Sequence, residues 1–188
     1  MVLSKNMQKL VAGSSTIRKL FEEGIELAKE VGAENVYDFS LGNPAAPVPE
    51  EVKKSIYDIL ENRNANFVHC YMPNAGYPEV REKVAANLNK KYDSSFTKED
   101  IIMTVGAAGG INCVLRCLLE QEDEVLCFAP FFGEYNSYVM NFGGNLKVVP
   151  ADYETFQLNV EEADKYITER TKAVIINNPN TPSGVVYN

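Results

Sequence analysis

Apolar residues change rhythm part-way along the chain. Across residues 14–31 they recur at Ile17, Leu20, Phe21, Leu27, Ala28 and Val31, one face of a helix, with Ser14 or Ser15 as N-cap and Gly32 as the stop. Pro49 opens a second helical pattern through about Leu60, with Val52, Ile56 and Ile59 or Leu60 turned inward, and Pro78 opens a third over 79–92, with Val80, Val84 and Leu88 inward. Proline suits a first helical turn because the N–H it lacks would have no partner there. Residues 37–41 read as a short strand ending in Gly42, Asn43 and Pro44, followed by a constrained crossing loop to Pro47. Residues 67–76 read as an irregular aromatic loop.

After Thr97 short apolar runs at 101–105, 125–129, 146–149 and 173–177 alternate with helical patterns at 111–120, 135–141 and, behind the capping pattern Asn159-Val160-Glu161-Glu162, up to Thr168. Strands alternating with helices predict an α/β fold of three layers, a mostly parallel sheet covered on both faces.

Charge narrows the partners. A net charge of -8 over 188 residues disfavours nucleic acid and anionic membrane, which are held by clustered Lys and Arg, while leaving room for a small anion bound locally. Cys70, Cys113, Cys117 and Cys127 have no C-x-x-C spacing and read as reduced thiols of a cytoplasmic protein, without zinc. No apolar run has the length of a membrane span, and the first twenty residues hold no signal-like apolar stretch.

Two places could carry chemistry. The turn Val105-Gly106-Ala107-Ala108-Gly109-Gly110 lies between a strand pattern and a helix pattern, where backbone N–H groups and the helix dipole favour a phosphate. Tight strand-to-helix packing alone would also require glycine. The turn has neither G-x-G-x-x-G spacing nor a Walker lysine, which disfavours dinucleotide and P-loop readings. Phe131 and Phe132 follow Pro130 at the carboxyl edge of a predicted strand, where one ring could stack on a flat heterocycle or simply fill a core. His69, the one histidine, reads as a packed loop residue, and Asp152, Glu154, Glu161 and Glu162 as capping and surface acids.

Five segments in order, LGNP (41–44), HCYMPNAGYPEVRE (69–82), TVGAAGGI (104–111), APFFGEY (129–135) and NNPNTPSGVVY (177–187), resemble the fold-type I pyridoxal-phosphate enzymes of the class I and II aminotransferases, aspartate aminotransferase among them. The resemblance covers nearly the whole chain. It implies the pyridoxal-phosphate transferase fold, incomplete: residues 1–47 as the N-terminal arm and helix of the small domain, residues 48–188 as the first half of the large cofactor-binding domain. It implies pyridoxal 5'-phosphate as cofactor, an amino acid and a 2-oxo acid as substrates, and a homodimer. By the same resemblance Gly42 meets the substrate carboxylate through its backbone, and Tyr71 reaches the cofactor phosphate of the other subunit. Gly106, Ala107 and Ala108 form the phosphate turn, and Phe132 stacks on the pyridine ring.

The last segment departs from the family's usual N-P-x-N-P-T-G. Thr181 stands where the asparagine that bonds the cofactor's phenolate oxygen is expected, and Asn180 lies one place early. Thr181 holds the role by position; Asn180, or Asn178, holds it by chemistry. The family's Schiff-base lysine, pyridinium aspartate and carboxylate-gripping arginine follow this loop and have no counterpart in the chain. Lys147, Lys165 and Lys172 read as solvated charges, so the 188 residues alone are expected to be inactive. Two other readings stay open: a non-catalytic fragment or oligomerising module, and a nucleotide-binding α/β enzyme using the Gly106 turn.

Overall fold

The computed structural model describes residues 2–12, 16–39, 42 and 46–188. Its contacts divide the chain into two compact units, residues 1–70 and 71–188.

The first unit is helical: α1 (Lys5–Ala12), α2 (Thr16–Val31), a 3-10 turn at Ala33–Asn35, α3 (Glu50–Asn62) and α4 (Ala65–Val68). Gly32 ends α2 as expected, at φ +89, a left-handed value that glycine adopts without a Cβ penalty. The expected caps of α2, Ser14 and Ser15, lie outside the described residues, as do Ser40 and Leu41 of the predicted short strand; its described part, 37–39, joins no ladder. Pro49 is the N-cap of α3, one place before the expected first turn, and Glu50 and Glu51 fill that turn, where acids complement the helix dipole. The α3 side chains expected to face inward, Val52, Ile56, Ile59 and Leu60, are all exposed. An amphipathic pattern reports a face that requires cover, and no described residue of this chain supplies it. α1 and α4 are too short to print a helical period, and α4 occupies the start of the region read as an irregular loop. His69 closes α4 and is exposed rather than packed.

The second unit is the α/β part: α5 (Pro78–Tyr92), α6 (Gly106–Leu118), β1 (Glu124–Phe128), α7 (Glu134–Met140), β2 (Asn145–Val149), α8 (Val160–Ala163) leading into a 3-10 turn at Asp164–Tyr166, and β3 (Thr171–Ile175). The three strands pair in parallel in the order β2-β1-β3, with Val125 opposite Leu146 on one side and Ala173 on the other. Side chains alternate across the sheet and build two cores. On one face Val125 packs with Leu115 of α6, Leu119 just after it and Val139 of α7, joined by Leu146, Ala173 and Ile175. On the other, Leu126, Phe128 and Val149 pack with Ala163, Leu158 and Tyr166. The three layers predicted from the alternation are therefore present. Being central, β1 is buried at all five positions, which explains its unbroken apolar run; edge strand β3 is only half buried.

Two elements differ from the expectation. Residues 101–105 form no strand and join no ladder among the described residues, because a β pattern becomes a strand only when a neighbour accepts its hydrogen bonds. α6 begins at Gly106, five residues before the predicted start, so the glycine turn is the helix's own first turn. Glycine lowers helix propensity by about 1 kcal/mol, but packing overrides it here: Cβ atoms added at Gly109 and Gly110 would lie 3.6 and 3.3 Å from the Thr104 side chain.

Cys127, inside β1, is 1% exposed, and burial pushes its thiol up to about 12. The three other cysteines are exposed. At pH 8 a thiol reagent is expected to modify Cys70, Cys113 and Cys117 rapidly and Cys127 only on unfolding, since the thiolate is the reactive form. A buried thiol raised above its unfolded value favours the folded state below the unfolded pKa, and this contribution is lost as pH rises through about 12. Alkaline unfolding of a Cys127→Ala variant is therefore expected to be shallower than that of the parent over this range.

Candidate active site

The chain leaves β1 for β2 through α7, on the α6 face, then returns through α8, on the opposite face, to place β3 on the other side of β1. The first crossover leaves the carboxyl end of β1 and the second the carboxyl end of β2, on opposite faces of the sheet. Ligands of parallel α/β sheets bind outside the carboxyl ends of the strands.

Three segments converge on this edge. The first follows β1: Phe131 lines a narrow cleft with Phe128 and Tyr135. Phe132 stands outward, 40% exposed, its ring edge-on to Tyr135 with centroids 5.7 Å apart. The second follows β3 and supplies Asn177, Asn180 and Tyr187 to the same cleft. The third is the start of α6. Leu115 of α6 and Leu119, its C-cap, pack on Val125, and the next turn feeds β1, so α6 runs back along β1 and its N-terminus, about 20 Å away, points to the carboxyl edge.

The loop after β3 is closed by its own asparagines. Asn180 is buried; its backbone N–H donates to the Val185 carbonyl at 2.8 Å, and its Oδ1 accepts from the Ser183 hydroxyl at 2.8 Å and the Ser183 N–H at 3.2 Å. Asn178 Oδ1 accepts from the Tyr187 N–H at 3.0 Å. Burial raises the Tyr187 phenol, and a hydrogen bond from the Asn180 side chain partly offsets this. Tyr135 is raised as well, by burial first and then by Cys127 and its tyrosine neighbours. Both hydroxyls therefore stay protonated at neutral pH and can donate. Asn177, its amide turned to suit both neighbours, accepts from the Thr181 N–H at 3.1 Å and donates to the Pro179 carbonyl at 3.3 Å. Thr181 itself is exposed. Of the three residues left open by the sequence, Asn180 and Asn178 spend their side chains holding the loop while Thr181 is exposed. Truncating Asn180 to Ala is expected to cost about 1–3 kcal/mol, since two donors on Ser183 lose their acceptor. Hydrogen exchange at Ser183 and Gly184 should quicken while that of β1 changes only through global stability.

At the start of α6 no side chain caps the helix: Val105 is the N-cap and makes no side-chain bond. Gly106, at φ +68, has open space where a Cβ would stand, and Ala107 and Ala108 are exposed. The Gly106 N–H donates to the Thr104 carbonyl at 3.0 Å, and the rest of the first turn presents its backbone N–H groups at an unobstructed terminus, the arrangement that suits a phosphate. Tyr71 is fully exposed at the start of the second unit, and Gly42, in the first, is exposed with nothing within 4 Å of a built Cβ.

A model of the family "Aminotransferase class I and II" matches residues 33–188. The chain belongs to the class I and II aminotransferases. It is 36% identical over 188 residues to the aromatic-amino-acid aminotransferase 2 of Thermococcus litoralis, covering 99% of this chain and 45% of that one. It is also 36% identical over 174 residues to the aspartate aminotransferase of Pyrococcus abyssi, covering 92% and 42%. Among solved structures, an amino transferase from Eubacterium rectale superposes with a TM-score of 0.93 at 39% identity, covering all of this chain and 48% of that one. The aspartate aminotransferase of Thermus thermophilus with maleate gives 0.85 at 30% identity, covering 47% of its chain. This aminotransferase chain thus spans a little under half the length of its relatives.

The sheet lysines Lys147 and Lys172 turn their amines away from the carboxyl edge. Lys147 and Lys172 pair with Glu124 at 3.2 Å and Asp123 at 3.9 Å, at the amino end of β1, and Lys165 pairs with Glu162 at 2.6 Å. Asp152 and Asn159 cap turns, as their setting in the sequence suggested: Asp152 Oδ1 accepts from the Glu154 N–H at 2.9 Å, and Asn159 Oδ1 from the Glu162 N–H at 3.1 Å. Sequence reasoning assigned no role to Asn177, Tyr135 or Tyr187. Their signal was the cleft, which exists only once β1 and β3 are neighbours.

Proposed function

We propose that this aminotransferase chain supplies the phosphate-binding and ring-stacking half of a pyridoxal 5'-phosphate site, in an enzyme that moves an amino group between an amino acid and a 2-oxo acid. The observation that carries the reading is the convergence of an uncapped helix N-terminus, an outward phenylalanine and an asparagine-pinned polar loop on one sheet edge, in a chain that matches the family from residue 33 to 188. The residues fit the cofactor. A phosphate would be held by the backbone N–H groups of Ala107 and Ala108 and, once it takes the place of the Thr104 carbonyl, of Gly106, beside which the space is open. The Phe132 ring would lie against the heterocycle, and Thr181 would donate its hydroxyl to the phenolate oxygen, with Asn180 holding the loop that carries it. The bound cofactor would supply an electron sink for the substrate's amino carbon.

The remaining assignments follow the same reading. Residues 1–47 are the arm and helix of the small domain, and residues 48–188 the first half of the large one. Gly42 meets the substrate carboxylate, and Tyr71 crosses to the phosphate of a second subunit, so the working enzyme is a homodimer. The free cysteines agree with a cytoplasmic setting. Among the described residues no helix is long and apolar enough to cross a membrane.

Thermal unfolding with added ligands tests the assignment. Pyridoxal 5'-phosphate should raise the melting temperature in a concentration-dependent way, as any ligand that binds only the folded state must, and a nicotinamide dinucleotide should not. Protection by the dinucleotide alone would favour a nucleotide-binding enzyme.

A further inference from the structure

Residues 101–105 lead directly into the phosphate turn, yet no neighbouring strand fixes them among the described residues. Something else must set where Gly106 lies. Arg81, on α5, is 9% exposed, and its Nη1 donates to the carbonyl of Lys98 at 2.9 Å and to that of Ile101 at 3.4 Å. Its Nη1 also lies 3.9 Å from a Glu99 carboxylate oxygen, and its Nε is buried without a partner. A buried guanidinium with an unsatisfied N–H is costly, and its fixed fork makes it a rigid clamp. The carbonyls it holds belong to a turn closed by its own capping box, in which Asp100 Oδ2 accepts from the Thr97 N–H at 2.8 Å.

A second tie acts two residues further on. The Met103 N–H donates to the Ala75 carbonyl at 3.0 Å, and Gly76, at φ +93, lies so close that an added Cβ would stand 2.6 Å from Met103 Cγ. Thr104 then completes the path, its hydroxyl donating to the Gly106 carbonyl at 3.0 Å. We propose that Arg81 is a positioning residue for the phosphate turn: with the Ala75–Met103 contact it takes the place of a ladder partner and fixes the approach of 101–105 into Gly106. Arg81 touches no ligand itself. Its effect is transmitted through the backbone of 98–106 and falls on the phosphate alone.

The inference rests on the cofactor reading above, and the test separates the two. Affinities of the 188-residue chain for pyridoxal 5'-phosphate and for pyridoxal, which lacks the phosphate, are measured calorimetrically for the parent, Arg81→Met and Gly76→Ala. The parent should prefer the phosphorylated form. Both variants should lose about tenfold of that preference, the effect of weakening one hydrogen bond to a charged group, while their pyridoxal affinity stays at the parent value. A general loss of structure would lower both affinities alike. Should Arg81→Met fail to fold, Gly76→Ala, which displaces Met103 from the other side, decides the matter. A folded variant that keeps the parent's preference would overturn the role of Arg81 and leave the cofactor reading standing. A parent that binds both forms equally would overturn both.

Discussion

Borohydride added to the 188-residue chain with pyridoxal 5'-phosphate is expected to fix label on no single lysine in stoichiometric amount, and the chain is expected to transaminate at no measurable rate. An amine that condenses with an aldehyde must first be neutral, which proteins arrange by burying a lysine away from carboxylates. The sheet lysines here sit in the opposite environment. Lys147 and Lys172 are part-exposed and paired with Glu124 and Asp123 at the amino edge, and the Glu162 carboxylate raises Lys165 further. Peptide mapping after reduction checks the result; one peptide carrying a full equivalent of label would refute it.

Leu126→Ala is expected to destabilise the second unit by about 2–5 kcal/mol, the usual cost of opening a cavity in a packed core. Leu126 is 1% exposed in the central strand, within the cluster of Phe128, Val149 and Ala163. An ordinary domain has about 5–15 kcal/mol in total, so this one substitution removes a large part of the margin. Val174 gives the contrast. It sits on edge strand β3 and is 47% exposed, and its truncation should fall within about 0.5 kcal/mol. Urea unfolding with an unchanged m-value measures both.

How far the sequence could be read depended on whether a feature was local. β1 was legible because a central parallel strand must be apolar on both faces, and Val125 to Phe128 are. α5 was legible because its cap signal, Pro78, lies beside it. Residues 101–105 carry the same apolar signal as β1 but join no ladder among the described residues, since a periodic pattern records a preference and not the neighbour that would satisfy it. For the same reason Val52 and Ile56 of α3 are exposed although their spacing marks an inward face. For the proposed site, motif order alone put forward Gly106 to Ala108 and Phe132. The distinction between Asn180 and Thr181 could not, because it turns on which side chain the loop uses to close itself, and that is set by Ser183 and Tyr187 folding back. Arg81 gave no signal in sequence: an arginine on a charged helix reads as surface until its carbonyl partners are known.

The central claim is that the carboxyl edge shared by β1, β3 and the start of α6 is the cofactor site. Titrating pyridoxal 5'-phosphate into isotopically labelled chain, and following each backbone amide by NMR, tests it most directly. The largest shifts are expected at Gly106, Ala107 and Ala108, with Phe132 and Thr181 next and the Asp123–Glu124 end of the sheet unmoved. Shifts centred on Lys147 and Lys172 at the amino edge, or a spectrum unchanged by the ligand, would contradict the assignment.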